Sequence, residues 1–166
     1  ITAWISNWLR NRKQRVKIGD VTTEWKDVEA GVIQGSVLGP TLFIIFIQSI
    51  AAKMPPHIKT LKYADDILAY CLATLDLTQE AIDTIANWCN EFGMCLNRKK
   101  TEQMHINRKS LIGPTSSAQL DGEELEHTGE YKYLGMWLNE NLDPSSQWEM
   151  VSSKTLKHFY LIKQLK

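Results

Sequence analysis

Between Thr60 and Leu72 the chain runs through two short, predominantly apolar segments, Thr60 to Ala64 and Ile67 to Leu72, interrupted by the adjacent carboxylates Asp65 and Asp66. Runs of this length bounded by turn-forming residues predict two antiparallel strands with a tight bend between them, and the acidic pair falls at the bend. Two carboxylates held so close repel each other and must be offset by cations or by proton uptake. Divalent magnesium does this naturally, because it takes oxygen ligands, commonly one or two protein carboxylates together with phosphate oxygens. Two such ions can clamp an in-line phosphoryl displacement. From the pair alone a second reading stays open: a solvated turn, which aspartate commonly occupies.

The rest of the chain reads as alternating helices and short strands. Ile1, Trp4, Ile5, Trp8 and Leu9 recur at helical spacing, and the basic run Arg10, Arg12, Lys13, Arg15 and Lys17 follows. From Val16 to Val28 alternating and β-branched residues predict a hairpin punctuated by Gly19-Asp20. Ser36 is placed to cap a helix over Leu42 to Ala52, with Pro40 tolerated in its first turn and Pro55-Pro56 at its end. That helix is apolar nearly all round and is expected to be buried.

Asp76 and Gln79 resemble a capping box for the clearest helix, whose face carries Leu77, Ala81, Ile85, Trp88 and Phe92 and which Gly93 closes. Strand-like pieces follow at Thr101 to Ile106, around Leu120 with an Asp121-Gly122 turn, and at Tyr131 to Leu138, with Ser110 to Ser117 read as a loop. Asp143-Pro144 opens a last helix with Trp148, Val151, Phe159 and Ile162 on its apolar face. Helical spacing among apolar neighbours assigns Trp4, Trp8, Trp88 and Trp148 to the core rather than to stacking on bases.

Hydrophobic residues make up 43% and charged residues 23% of the 166, as in an ordinary globular segment. With 19 basic against 19 acidic side chains, no overall charge advertises nucleic acid, although a local basic face remains compatible. Cys71, Cys89 and Cys95 form no CxxC pair, which points to reduced thiols rather than a disulfide framework or zinc site. The apolar run Leu42 to Ile47 falls far short of the roughly 20 residues that span a bilayer, so no membrane partner is expected. The chain opens on Ile1 with helical periodicity already under way, and is read as entering in mid-domain.

Four segments, taken together, narrow the function. Tyr63-Ala64-Asp65-Asp66 resembles the YxDD signature of reverse transcriptases. The run Gly31-Val32-Ile33-Gln34-Gly35-Ser36-Val37-Leu38-Gly39-Pro40 resembles the upstream motif of their non-LTR (LINE-type) retrotransposon branch. Phe92 to Thr101, with its NxxKT core at Asn97 to Thr101, resembles the next palm motif, and Tyr133-Leu134-Gly135 resembles the primer grip. The motifs stand in family order, and the stretch from Trp4 through the Val16 to Val28 hairpin resembles what precedes the glutamine-glycine motif, so the resemblance covers essentially the whole chain.

The resemblance implies an α+β right-hand polymerase palm, an antiparallel sheet backed by helices, with part of the fingers and the start of the thumb. Residues 1–59 would be the fingers and palm segment, 60–140 the palm and 141–166 the beginning of the thumb. It implies an RNA-directed DNA polymerase acting on an RNA template, a DNA primer and deoxynucleoside triphosphates with two magnesium ions. Asp65, with Asp66 as a helper, would hold the metal, and Lys100 would assist the departing pyrophosphate. Gln34 and Gly35 would lie beside the nascent base pair, Tyr63 and Ala64 near the primer end, and Tyr133, Leu134 and Gly135 in the primer grip. Arg10, Arg12, Lys13 and Arg15 would meet the nucleic-acid backbone.

Two positions depart from the family pattern: Ile33 stands where proline is usual, and Ser49 where an aspartate commonly follows the motif's helix. The family's other metal-binding aspartate, on the first palm strand, has no counterpart before Ile1, so a fragment with an incomplete metal site, inactive by itself, is expected. A group II intron-type or telomerase-like polymerase is the nearest enzymatic alternative, which Gly35 to Pro40 disfavours. The alternative from another class is a degenerate, non-catalytic retroelement remnant that at most binds nucleic acid.

Overall fold

A computed structural model of the chain describes residues 1–72, 75–106 and 117–164. It is α+β, with its strands joined in two-stranded pairs, and it divides into two units. One comprises Ile1–Ala52 and Leu61–Leu68, the other Lys53–Thr60 and Ala69–Lys166. Among the described residues no helix is long and apolar enough to cross a membrane.

The first unit begins with helix α1 (Thr2–Leu9), which stops where Asn11 turns into the left-handed region at φ 53°. The hairpin expected over Val16 to Val28 is present and reaches back to Arg12. Strands β1 (Arg12–Gln14) and β4 (Lys26–Val28) pair antiparallel at its base, and β2 (Lys17–Ile18) and β3 (Val21–Thr22) at its tip. Gly19, at φ 58°, makes the connection. Between the two ladders the Val16 amide donates to Thr23 Oγ1 (2.9 Å) and the Thr23 amide returns a bond to the Val16 carbonyl (3.0 Å).

Helix α2 (Gly39–Lys53) corrects one expectation. Only Gly39, Ile47 and Ile50 of it are buried, while Ile44 and Ile45 stand exposed. An all-round apolar sequence describes what a helix can bury; neighbours on every side decide what it does bury. Strands β5 (Lys59–Tyr63) and β6 (Asp66–Tyr70) then pair across a turn of Ala64 and Asp65, so the expected strand–bend–strand is present with Asp66 already inside the second strand.

In the second unit α3 (Leu75–Glu91) supplies the core through Ala81, Ile85, Trp88 and Cys89. Gly93, at φ 65°, closes it as expected: the Met94 amide donates to the Cys89 carbonyl (2.8 Å) and the Gly93 amide to the Asn90 carbonyl (3.4 Å), the paired bonds of a Schellman cap. The acceptor end of the expected Asp76–Gln79 box lies outside the described side chains. Gln79 instead clamps the next element, its Oε1 accepting from the Gln119 amide (2.7 Å) and its Nε2 donating to the Gln119 carbonyl (2.9 Å).

That bond pair docks β8 (Gln119–Leu120), which turns through Asp121 and Gly122, both at positive φ, into β9 (Glu123–Glu124). Ala118, Leu120 and Leu125 form a buried cluster against Ile82, Ala86 and Leu96. Strand β7 (Glu102–Gln103) runs parallel to β10 (Glu126–His127). The loop expected at Ser110 to Ser117 falls outside the described residues except for its last.

Gln103 is buried and its amide orientation is determined by its partners. Oε1 accepts from the Ala118 amide (2.8 Å), so Nε2 must donate across 2.7 Å to His105 Nε2. A ring nitrogen that accepts carries no proton, and His105 is therefore neutral with its hydrogen on Nδ1. Burial first, and then the adjacent His127 stacked at 5.1 Å, push His105 below the ordinary imidazole range.

The strand expected over Tyr131 to Leu138 is two: β11 (Glu130–Tyr133) and β12 (Met136–Asn139), antiparallel about Leu134-Gly135. Helix α4 (Ser145–Gln164) begins where Asp143 Oδ1 accepts the Ser145 amide (2.9 Å), and it docks on β12 through the Trp137 amide, which donates to Gln147 Oε1 (2.9 Å). Its expected apolar face is exposed. Of the four tryptophans assigned to the core only Trp88 is deeply buried, at 1% exposure, whereas Trp4 is 59% and Trp148 73% exposed. Periodicity identifies one face of a helix, and a partner surface must then cover it.

Two outcomes follow from this core. Trp88→Ala is expected to destabilise the chain by about 3–5 kcal/mol in a denaturant melt, because it removes a buried ring packed at 5.0 Å on Phe92. The depressed His105 makes stability complete above the unfolded imidazole value of about 6.5 and lost as pH falls through the lower folded value. Melting temperature should drop between pH 7.5 and 5.5. His105→Phe should lower the neutral-pH midpoint and flatten that slope.

Candidate active site

A connection of only two residues between paired strands requires backbone that doubles back at once, and Ala64 supplies it at φ 51°. For an L-residue with a Cβ this left-handed conformation costs about 1–2 kcal/mol. The tip therefore stores strain at the residue preceding Asp65. Tyr63, Ala64, Asp65 and Asp66 are all exposed, with Tyr63 ending one strand and Asp66 starting the other.

Among the described residues neither aspartate has an ion-pair partner, and no three His, Cys, Asp or Glu side chains gather into a metal cage. The hairpin thus offers two exposed hard-oxygen donors on adjacent residues. That donor set fits magnesium, which needs few protein ligands because phosphate oxygens and water fill the remaining positions.

Gln34 and Gly35 belong to the same unit as Tyr63 to Asp66. They are the two central residues of a β-turn closed by the Ser36 amide, which donates to the Ile33 carbonyl (3.3 Å), with Gly35 at φ 78°. Positive φ at the third turn position is the type II signature and is the reason glycine stands there. A Cβ built on Gly35 would meet nothing within 4 Å, so the turn's tip is open to an approaching ligand.

Behind the tip, Ser36 makes a clasp rather than the simple cap expected of it. Its hydroxyl donates to the Ile33 carbonyl (2.6 Å) and accepts the Gly39 amide (3.0 Å). Gly39 is required by this clasp, since a Cβ there would lie 2.8 Å from Ser36 Oγ and 2.9 Å from the Ile33 carbonyl oxygen. The sequence carries a hint of this only in the spacing of glycines around Ser36.

The basic residues after α1 are largely engaged within the unit. Arg12 donates from Nε to the Leu9 carbonyl (2.8 Å) and from Nη2 to the Gly31 carbonyl (2.5 Å). Lys13 lies 3.6 Å from Asp27, and the Arg15 guanidinium sits 4.5 Å above the Trp25 ring. Arg10 is exposed.

In the second unit, Lys100 ends a 3₁₀ turn (Arg98–Lys100) that starts from Asn97, whose carbonyl accepts both the Lys100 amide (2.9 Å) and the Thr101 hydroxyl (3.0 Å). Arg98 in this turn is ion-paired with Glu123, whereas Lys100 is exposed with no ion-pair partner among the described residues. Asn97 and Thr101 thereby shape the turn that presents Lys100 to solvent.

Leu134 and Gly135, at φ 47° and 88°, form the two-residue turn between β11 and β12. Both positive values match a type I′ hairpin. The Tyr133 hydroxyl beside it is buried and has no hydrogen-bond partner among the described residues. Burying such a group costs about 1–3 kcal/mol. Tyr133→Phe should therefore leave the thermal midpoint unchanged or raise it; a fall would reveal a bonded hydroxyl.

Residues 1–138 match the family model described as reverse transcriptase (RNA-dependent DNA polymerase). The chain is 31% identical over 149 residues to the RNA-directed DNA polymerase from mobile element jockey of Drosophila funebris. It is 30% identical over 149 residues to the probable RNA-directed DNA polymerase from transposon BS of Drosophila melanogaster, and 29% over 153 to that species' jockey polymerase. Each match covers 83% of this chain and 16% of the relative, so the chain spans about one sixth of the length of these curated relatives.

Proposed function

The chain belongs to the reverse transcriptase (RNA-dependent DNA polymerase) family, and from that premise we propose that it forms the part of a non-LTR retrotransposon polymerase that carries the hairpin carboxylates of nucleotidyl transfer. The observation that carries the reading is the bend at Ala64-Asp65, which exposes two adjacent carboxylates free of internal cations among the described residues. Asp65, with Asp66 beside it, would hold magnesium. When bound, two such ions align a primer 3′-oxygen with the α-phosphate of a deoxynucleoside triphosphate and neutralise the developing charge.

The chain's own groups supply the positioning. The Gln34-Gly35 turn presents bare backbone to the nascent base pair, where a side chain at Gly35 would intrude. Tyr63 and Ala64 approach the primer end from the hairpin that carries Asp65, and Tyr133, Leu134 and Gly135 form the primer grip. Lys100, on its exposed turn, donates a proton or positive charge toward the departing pyrophosphate. Arg10 and Arg15 face the phosphate backbone of the RNA template and DNA primer, and Lys13 can join them because exposed ion pairs such as that with Asp27 are weak.

In this reading residues 1–59 are fingers and palm, 60–140 palm and 141–166 the start of the thumb. Two carboxylates are few for two ions, so the isolated chain is proposed to be inactive and the test belongs in a polymerase of the relatives' length that carries it. There, Asp65→Asn should reduce magnesium-dependent extension of a DNA primer on RNA by at least about a hundredfold, with an unchanged melting temperature. Full activity in that variant would remove the site assignment.

A further inference from the structure

Arg12 lies in the basic run that follows α1, yet its guanidinium faces two backbone carbonyls of its own unit. The register of the hairpin explains why. Arg12 pairs with Val28 at the last rung of β1 and β4, and the chain leaving β4 reaches Gly31 three residues later. The Nε and Nη2 hydrogens lie on one edge of the planar guanidinium, and that edge meets Leu9 O, an otherwise orphaned carbonyl at the end of α1, together with Gly31 O. One side chain thus ties a helix end, a strand and the first residue of the glutamine-glycine segment.

The other end of that segment is held by Ser36, which grips Ile33 O and the Gly39 amide at the start of α2. Between the two anchors lie only Val32 and the turn that carries Gln34 and Gly35. Gly31, at φ 88°, and Gly35, at φ 78°, have no Cβ to restrict the backbone, so the turn's position depends on what its ends are bonded to.

We infer that Arg12 is a positioning residue for nucleotide selection: acting through the Gly31 carbonyl, and opposite the Ser36 clasp, it sets where the Gln34-Gly35 turn meets the incoming deoxynucleotide. The inference rests on the polymerase reading above. It distinguishes Arg12 from a phosphate contact by geometry, because lysine keeps the charge but lacks the planar edge that satisfies two carbonyls together.

The test uses the full-length polymerase carrying this chain, with an RNA template, DNA primer, magnesium and deoxynucleotides. KM for nucleotide, kcat per titrated active site, and the salt dependence of template–primer binding are measured for wild type, Arg12→Lys, Arg12→Ala and Ser36→Ala. Both Arg12 variants and Ser36→Ala should raise the nucleotide KM on the order of tenfold, with template–primer affinity and its salt slope unchanged.

A wild-type KM in Arg12→Lys overturns the inference, and that variant decides the matter even if Arg12→Ala does not fold. So does a salt slope reduced by about one in Arg12→Ala with normal KM, the mark of a lost phosphate contact. A drop confined to the active fraction, with KM unmoved, also overturns it and makes Arg12 purely structural. Asp65→Asn runs alongside. If that variant extends primers normally the polymerase site itself is misassigned, whereas a dead Asp65→Asn beside a normal Arg12→Lys removes only the role of Arg12.

Discussion

Paired strands joined by two residues leave the backbone no room to manoeuvre, and at Ala64 the chain accepts a left-handed conformation that a side chain ordinarily avoids. Everything proposed for the site depends on that reversal. It brings the apolar runs on either side into register-limited pairing and leaves Asp65 and Asp66 where water, or a hard cation, can reach both. The strain is tolerated because the flanking strands pair immediately on both sides.

The same economy of local bonding recurs through both units. Side-chain amides, hydroxyls and one guanidinium stand in for missing backbone partners: Gln79 pairs with both backbone groups of Gln119, Gln103 binds the Ala118 amide, Ser36 clasps Ile33 and Gly39, and Arg12 spans Leu9 and Gly31. Strands of two or three residues make few ladder bonds, so these polar side chains carry much of the work of satisfying backbone groups. Buried or half-buried polar side chains in such a fold are structural parts rather than surplus chemistry. Arg12 is the clearest case, a guanidinium edge bonded to two backbone carbonyls of its own unit.

Turn chemistry explains why the motif segments look as they do. Gly35 stands at the position of a type II turn that demands positive φ, Gly39 at a contact with no space for a Cβ, and Gly135 in a type I′ hairpin. The glutamine-glycine and Tyr133-Leu134-Gly135 segments are therefore backbone devices in their own right.

By itself the sequence determined the local order: the hairpin after α1, the strand–bend–strand around Asp65, the α3 helix with its Gly93 stop, and the motifs that place the chain in its family. Those features depend on period, turn residues and spacing within a few residues, all of which are written along the chain. Tertiary structure alone decided which apolar faces are covered, burying Trp88 while exposing Trp148 and half of α2. It also turned Arg12 inward and set the protonation of His105 through Gln103. The physical reason is common to all of these: burial and hydrogen-bond direction belong to pairs of distant groups, and a single residue's type records only what it is able to do, not which partner the fold brings to it.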